Sequence, residues 1–351
     1  MTIYIYTLIF FIPLLSYIYQ YTKNIGIEND KLYQFISLFL ILISSFRWQV
    51  GGDWQTYNFI YETIDITSIN FRWSFLFSFI NYFFSILQLG IFGVNFFVSS
   101  IFFLALYRLG KLLNFDLLLI LIVSISLIYF NGIMGYVRQS ISLTLLIFSI
   151  VYIFEDKKFF SFVFFILSIL NHKTALIFFP IYIFIFYKNF IFISLAISIM
   201  ILGLIFASET LLISFNEFII KGFVSNGAIF RSIPLFICSI FYIFFRKKIL
   251  FKSKYLKVII DYMCFLSIIL VLTVFLFKDW SAFSDRLIFY MSIFQIIVIG
   301  AIFSQVIKLN NRLYLHSTIL VTVGYFFITY SWFLFGDYSI YWLDYNFLYK
   351  D

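Results

Sequence analysis

Charge is scarce in this chain. Only 11% of its 351 residues are Asp, Glu, Lys or Arg, against 64% hydrophobic and 25% aromatic. A water-soluble domain carries about a quarter charged residues, so no segment here has the composition of one. Proline occurs three times and glycine fourteen, which leaves helices with few internal breaks. Histidine and cysteine each occur twice. Cys238 and Cys264 both lie inside apolar runs, which excludes a disulfide framework and a thiolate metal site. Two histidines do not make a zinc site, and there is no Asp-x-Asp. The alternating ten-residue segments of a membrane barrel are missing. The first apolar run begins at Ile3 with no basic leader and ends with no small-residue cleavage site. It reads as a retained helix, not a signal peptide.

Apolar runs of 15–20 residues recur from end to end instead. They describe an all-α polytopic membrane protein, one integral membrane domain over 1–351. About twelve transmembrane spans are expected, at 2–21, 32–46, 91–107, 115–130, 138–154, 159–171, 174–187, 190–206, 230–245, 258–277, 287–304 and 317–335. Segment 73–89 is expected to be a re-entrant or interfacial helix within an outer loop, 47–90. Counting it as a span would break the charge pattern that follows.

With twelve spans the loops divide into two sets. One contains Lys23, Lys31, Arg108, Lys111, Lys157, Lys158, Lys188, the basic loop 246–257, Lys308 and Arg312. It has fifteen basic residues, twelve of them lysine, against six acids. The positive-inside rule assigns it to the cytoplasm. The other set has nine basic residues and ten acids, and five of the nine are arginine: Arg47, Arg72, Arg138, Arg231 and Arg286. The net charge of +8 is thus an orientation signal rather than a sign of nucleic-acid binding. Lysine suffices for orientation. Arginine's planar fork grips phosphate and carboxylate, so its concentration in the outer set favours an outer anionic site.

Several outer clusters fall where a helix enters the membrane: Tyr136-Val137-Arg138-Gln139-Ser140, Asn171-His172-Lys173-Thr174 and Ser284-Asp285-Arg286. A cation at a helix N-terminus opposes the dipole unless an anion sits between them. Arg286 and Tyr290 share a helix face at i, i+4, as do Arg138 and Ser142. The loop Arg47-Trp48-Gln49-Val50-Gly51-Gly52-Asp53-Trp54-Gln55-Thr56-Tyr57 follows an apolar run directly, and its glycine pair lets backbone approach a ligand. Asp53 and His172 are the candidate general bases. Simpler readings stand beside these: Arg47 as a residue snorkelling at a helix end, Asp285-Arg286 as a local ion pair. Trp48, Trp54, Trp73, Trp280, Trp332 and Trp342 suit an aromatic belt at least as well as sugar stacking.

Arg47-x-x-Val50-Gly51-x-Asp53-x-x-x-Tyr57 resembles the hallmark of the EpsG-like family of bacterial Wzy-type polysaccharide repeat-unit polymerases. Arg138-Gln139, His172 and the pair Arg286…Tyr290 follow in that family's order. Gly52 departs from it, standing where Thr or Ser is common. The resemblance implies a GT-C-like membrane glycosyltransferase in the bacterial inner membrane, with its site on the periplasmic face. It would transfer a growing glycan from undecaprenyl diphosphate to the next lipid-linked repeat unit. Catalytic roles would fall to His172, Asp53, Arg138 and Arg286. Substrate binding would fall to Arg47, Tyr57, Gln139, Lys173, Asp285 and Tyr290. No metal and no cofactor is expected. The expected partners are the undecaprenyl diphosphate-linked oligosaccharide, membrane lipid and a chain-length regulator protein. A flippase of lipid-linked oligosaccharide would instead show a polar cavity reaching both faces and repeat-related halves. An O-antigen ligase would share the chemistry.

Overall fold

A computed structural model describes residues 2–23, 29–67, 74–186, 220, 222, 224–225, 227–251, 253–307, 311–336, 339–343 and 346–347. The described residues are almost entirely helical. Helix α1 spans Thr2–Lys23 and α2 Asn29–Ser45, then β1 (Arg47–Trp48), α3 (Trp54–Thr63), α4 (Phe75–Ile86) and α5 (Gly90–Leu113) follow. Helix α6 (Leu117–Ser124) runs on as a π-helical stretch over Ile125–Ile133, and α7 (Val137–Phe154) returns antiparallel to α8 (Lys158–Asn171). A 3₁₀ turn (Lys173–Phe178) leads into α9 (Phe179–Phe186). Then come α10 (Gly227–Phe245), α11 (Lys254–Leu276), α12 (Ser281–Tyr290), α13 (Ser292–Ile302), α14 (Asn311–Phe335), α15 (Ile340–Leu343) and β2 (Asn346–Phe347).

Among the described residues, α5, α7, α10, α11 and α14 are long and apolar enough to cross a membrane. The bent pair Lys278–Tyr290 and Ser292–Ile307, angled at 45°, makes a sixth. The chain is therefore an all-α, multi-pass membrane protein. The other expected spans fall on shorter apolar stretches, Tyr4–Tyr19 within α1, Leu117–Ile133, α8 and Lys173–Phe186, and on the 17-residue α2. Span 190–206 lies outside the described residues. The expected helix in 73–89 is present as α4.

Serines set the register of the α7–α8 hairpin. Ser142 and Ser149, two turns apart on α7, hydrogen-bond to Ser168 and Ser161, two turns apart on α8, at 2.9 and 3.1 Å between hydroxyls. Small residues let helices approach closely in an apolar medium, where each such bond contributes about 0.6 kcal/mol. Extending that register by one turn brings residue 172 opposite residue 138. The serine stripe thus decides which polar residues meet at the end of the hairpin.

The two charge sets gather separately. Arg108–Glu155, Lys111–Asp30, Lys157–Glu155 and Arg246–Asp261 each join two members of the lysine-rich set. Arg231–Asp285 joins two members of the arginine-rich set.

Candidate active site

The arginine-rich end of the bundle holds a cavity of about 350 Å³, at the small end of the range for ligand sites. Its wall includes Gly52, Asp53, Tyr57, Arg138, Gln139 and His172, with Asp285 and Arg286 across from them in the sequence. Four distant segments contribute, and each is positioned by identifiable contacts.

The first is the loop after α2. Arg47 is 1% exposed. Its guanidinium donates to the Ser44 carbonyl at 2.7 Å and to Asn95 Oδ1 at 3.2 Å, closing the end of α2 onto α5. Arg47 does not line the cavity, and a snorkelling side chain would not be so enclosed. Val50 is buried as well. Gly51 has φ +108°, and a Cβ there would lie 2.2 Å from the Met134 carbonyl oxygen, a geometry open only to glycine. These residues build the loop; Asp53 and Tyr57 face the cavity. Asp53 begins α3 but makes no side-chain cap. Its carboxylate instead accepts the Tyr57 hydroxyl proton at 3.0 Å. The Arg138 guanidinium lies 5.8 Å from the Tyr57 ring centroid, a cation–π distance.

The second is the turn between the π stretch and α7. Gly132 and Gly135 pack so tightly that added Cβ atoms would meet Ser140 Oγ at 2.4 Å and the Asn131 carbonyl oxygen at 2.5 Å. This tight reversal starts α7 at Val137 and puts Arg138 and Gln139 in its first turn, where backbone N–H groups lack intrahelical partners. Gln139 Nε2 donates to the Arg286 carbonyl at 2.9 Å, tying α7 to α12.

The third is the connection after α8. Asn171 Nδ2 donates to the Arg138 carbonyl at 2.6 Å, and its Oδ1 accepts from the Phe77 N–H at 3.1 Å. One buried side chain thereby fixes the starts of α4 and α7 beside His172. His172 has extended backbone, with φ −151°. Its Nδ1 lies 2.6 Å from Thr174 Oγ1, which leaves Nε2 for proton transfer. Burial, with Arg138, Arg286 and Lys173 around it, pushes the imidazole down from 6.5 to about 3. It is neutral at pH 7 and carries a lone pair for a proton. Tyr290 backs the ring at 6.5 Å between centroids while donating to Ser142 Oγ at 2.8 Å. Tyr290 is fully buried. Neither Tyr290 nor Lys173 lines the cavity.

The fourth is α12. Asp285 and Arg286 lie one turn inside this helix, not at its entry. Arg286 is exposed to the cavity. Asp285 is held in a two-pronged ion pair by Arg231 of α10, whose Nε is 2.5 Å from Oδ1 and whose Nη2 reaches Oδ2. Ser225 Oγ adds a bond to Oδ2 at 2.9 Å. With Arg231 and Asp285 neutralising each other, Arg138 and Arg286 outnumber Asp53, and the cavity favours an anion.

Arg231, Tyr136, Trp332, Tyr341 and Trp342 also line the cavity; the sequence placed Arg231 among the outer arginines, Tyr136 in a helix-entry cluster and the tryptophans in a belt, and gave none of them a binding or catalytic role. Arg231 had one available signal, as a charge near the start of the apolar run 230–245. The tryptophans divide by environment. Trp48 packs on Trp54 at 4.5 Å within the loop, and Trp332 on Trp342 at 5.1 Å by the cavity. Trp280 is exposed, as a belt residue would be.

No curated protein and no solved structure matches the chain. Residues 30–347 match the model of the EpsG family, the family of Wzy-like polysaccharide polymerases, and the chain belongs to that family.

Proposed function

We propose that this protein is a GT-C-like repeat-unit polymerase with about twelve spans, acting at the periplasmic face of a bacterial inner membrane. It transfers a growing glycan from undecaprenyl diphosphate to the next lipid-linked repeat unit. The observation that carries the reading is the convergence of Arg138, His172, Arg286 and Asp53, drawn from four segments, on one cavity.

In the reaction, the acceptor hydroxyl oxygen bonds to the donor's anomeric carbon while the bond from that carbon to the phosphate oxygen breaks. The diphosphate leaves with the electron pair. Arg138 and Arg286 hold it and stabilise its growing charge, helped by the N–H groups at the start of α7. His172 Nε2 takes the acceptor proton. An anion bound against the two arginines removes part of the field that depresses the imidazole, so His172 becomes a stronger base once donor is present. Asp53 acts through Tyr57: it orients the hydroxyl of the ring on which Arg138 rests. Gln139 and Asp285 position α12 and Arg231.

The test is Arg138→Ala and Arg286→Ala in cells, with membrane levels checked. Removing one such donor costs about 10²–10³ in rate, so each variant is expected to shorten the glycan ladder to single repeat units. Full-length ladders from both variants would sink the assignment.

A further inference from the structure

His172 Nδ1 lies 2.6 Å from Thr174 Oγ1, a bond in which either atom can be the donor. A neutral imidazole has one N–H and one lone pair, and a hydroxyl beside it can serve either. The groups behind Thr174 settle the direction.

Ser142, Ser168 and Tyr290 are fully buried, so each hydroxyl proton needs an acceptor inside the protein. A backbone carbonyl only accepts. Ser168 Oγ donates to the Ser142 carbonyl at 2.7 Å, and Ser142 Oγ donates to the Ser168 carbonyl at 2.8 Å. With its own proton spent, Ser142 Oγ accepts from the Tyr290 hydroxyl at 2.8 Å. The Tyr290 hydroxyl then has only lone pairs to offer Thr174, whose hydroxyl is its other hydrogen-bond partner. Thr174 therefore donates to Tyr290 and accepts from His172 Nδ1. One proton per hydroxyl fixes the direction along the whole row. The Ser168 carbonyl also accepts the His172 backbone N–H at 2.9 Å, so the row begins and ends on the same residue.

Resting on the polymerase reading above, we propose that Thr174 is a positioning residue that holds His172 as the Nδ1–H tautomer, and that Tyr290, Ser142 and Ser168 hold Thr174 in turn. Nε2 then carries the lone pair that takes the proton of the acceptor hydroxyl. When Nε2 is protonated, the bond from Nδ1–H to Thr174 stays in place. A carboxylate in the position of Thr174 would hold the same tautomer, but its negative charge would oppose a diphosphate bound at Arg138 and Arg286. A row of hydroxyls orients the imidazole without adding charge. Tyr290 and the two serines thus bear on the chemistry although none of them lines the cavity.

The chain has two histidines, so nitrogen NMR of the full chain in detergent, labelled at histidine, reads the tautomer directly, and His172→Gln assigns the signals. The unsubstituted protein is expected to carry the His172 proton on Nδ1. Thr174→Val keeps the shape and removes the acceptor. It should move the signal toward the Nε2–H form and, with lipid-linked repeat units extracted from host membranes, lower kcat by about tenfold with KM little changed. Thr174→Ser should restore both. Tyr290→Phe frees the Thr174 hydroxyl to donate to Nδ1, so it should give the Nε2–H form with Thr174 still present, a result that lost packing does not produce. An Nε2–H imidazole in the unsubstituted protein, or an Nδ1–H imidazole in both Thr174→Val and Tyr290→Phe, would overturn the proposal. So would a changed tautomer with kcat unchanged. An Nδ1–H imidazole in a folded protein that joins no repeat units would uphold the hydroxyl row and strike the polymerase reading alone.

Discussion

At Gly51 the backbone has φ +108° and no room for a methyl group beside Met134; at Gly52 an added Cβ meets only the Trp342 ring, at 3.5 Å. The neighbours should therefore respond oppositely. Gly51→Ala is expected to cost about 2 kcal/mol or more, and Gly52→Ser less than about 0.5 kcal/mol. Thermal unfolding in detergent reads the difference, and equal shifts would mean the loop is built differently. His172 gives a pH prediction. The folded protein takes up its proton near pH 3 and the unfolded chain near 6.5. As pH falls below 6.5 the unfolded state binds that proton first, so stability is full above 6.5 and declines toward 3. His172→Gln should flatten this part of the stability profile. An unchanged profile would place the imidazole in a more solvated setting. The sequence singled out both residues. It did not separate the motif's builders from its cavity-facing members, because whether Arg47 ends in water or against Asn95 depends on a helix 48 residues away.

Between elements, the arginine-rich end is fastened by few but specific bonds: Asn171 to the starts of α4 and α7, Gln139 to α12, and Arg231 of α10 to Asp285 of α12. The last pair is mostly buried, its side chains 15% and 11% exposed. Breaking either partner alone leaves an uncompensated charge. Arg231→Gln and Asp285→Asn should each destabilise strongly, and the double variant by less than the sum, with a coupling of about 1–3 kcal/mol. A double-mutant cycle on melting temperature measures it, and additivity would contradict the pair. Long apolar helices such as α5 and α11 were legible from hydropathy alone. The pairing of α7 with α8 was half legible, since serines two turns apart occur in both 138–154 and 159–171. The π stretch at Ile125–Ile133 was not legible, because nothing in an apolar run marks the change of hydrogen-bond period. The ion pair of Arg231 was not legible, because its partner lies 54 residues on.

For the whole molecule, the division of charge read from loops agrees with how the ion pairs gather. Lysine-rich positions pair with one another at one set of helix ends, and Arg138, Arg231 and Arg286 line the cavity. A few polar side chains in a greasy bundle are held by serine contacts and tight glycine turns, and they converge although they are far apart in sequence. Whether Arg138 and Arg286 serve a repeat-unit polymerase is decided by polymerisation with the purified protein, given lipid-linked repeat units extracted from host membranes. The account predicts products that grow by one repeat unit at a time, with one undecaprenyl diphosphate released per linkage, and a loss of about 10²–10³ in rate for Arg138→Ala or Arg286→Ala. Intact repeat units after prolonged incubation with folded protein, or unimpaired growth with both arginines replaced, would contradict it.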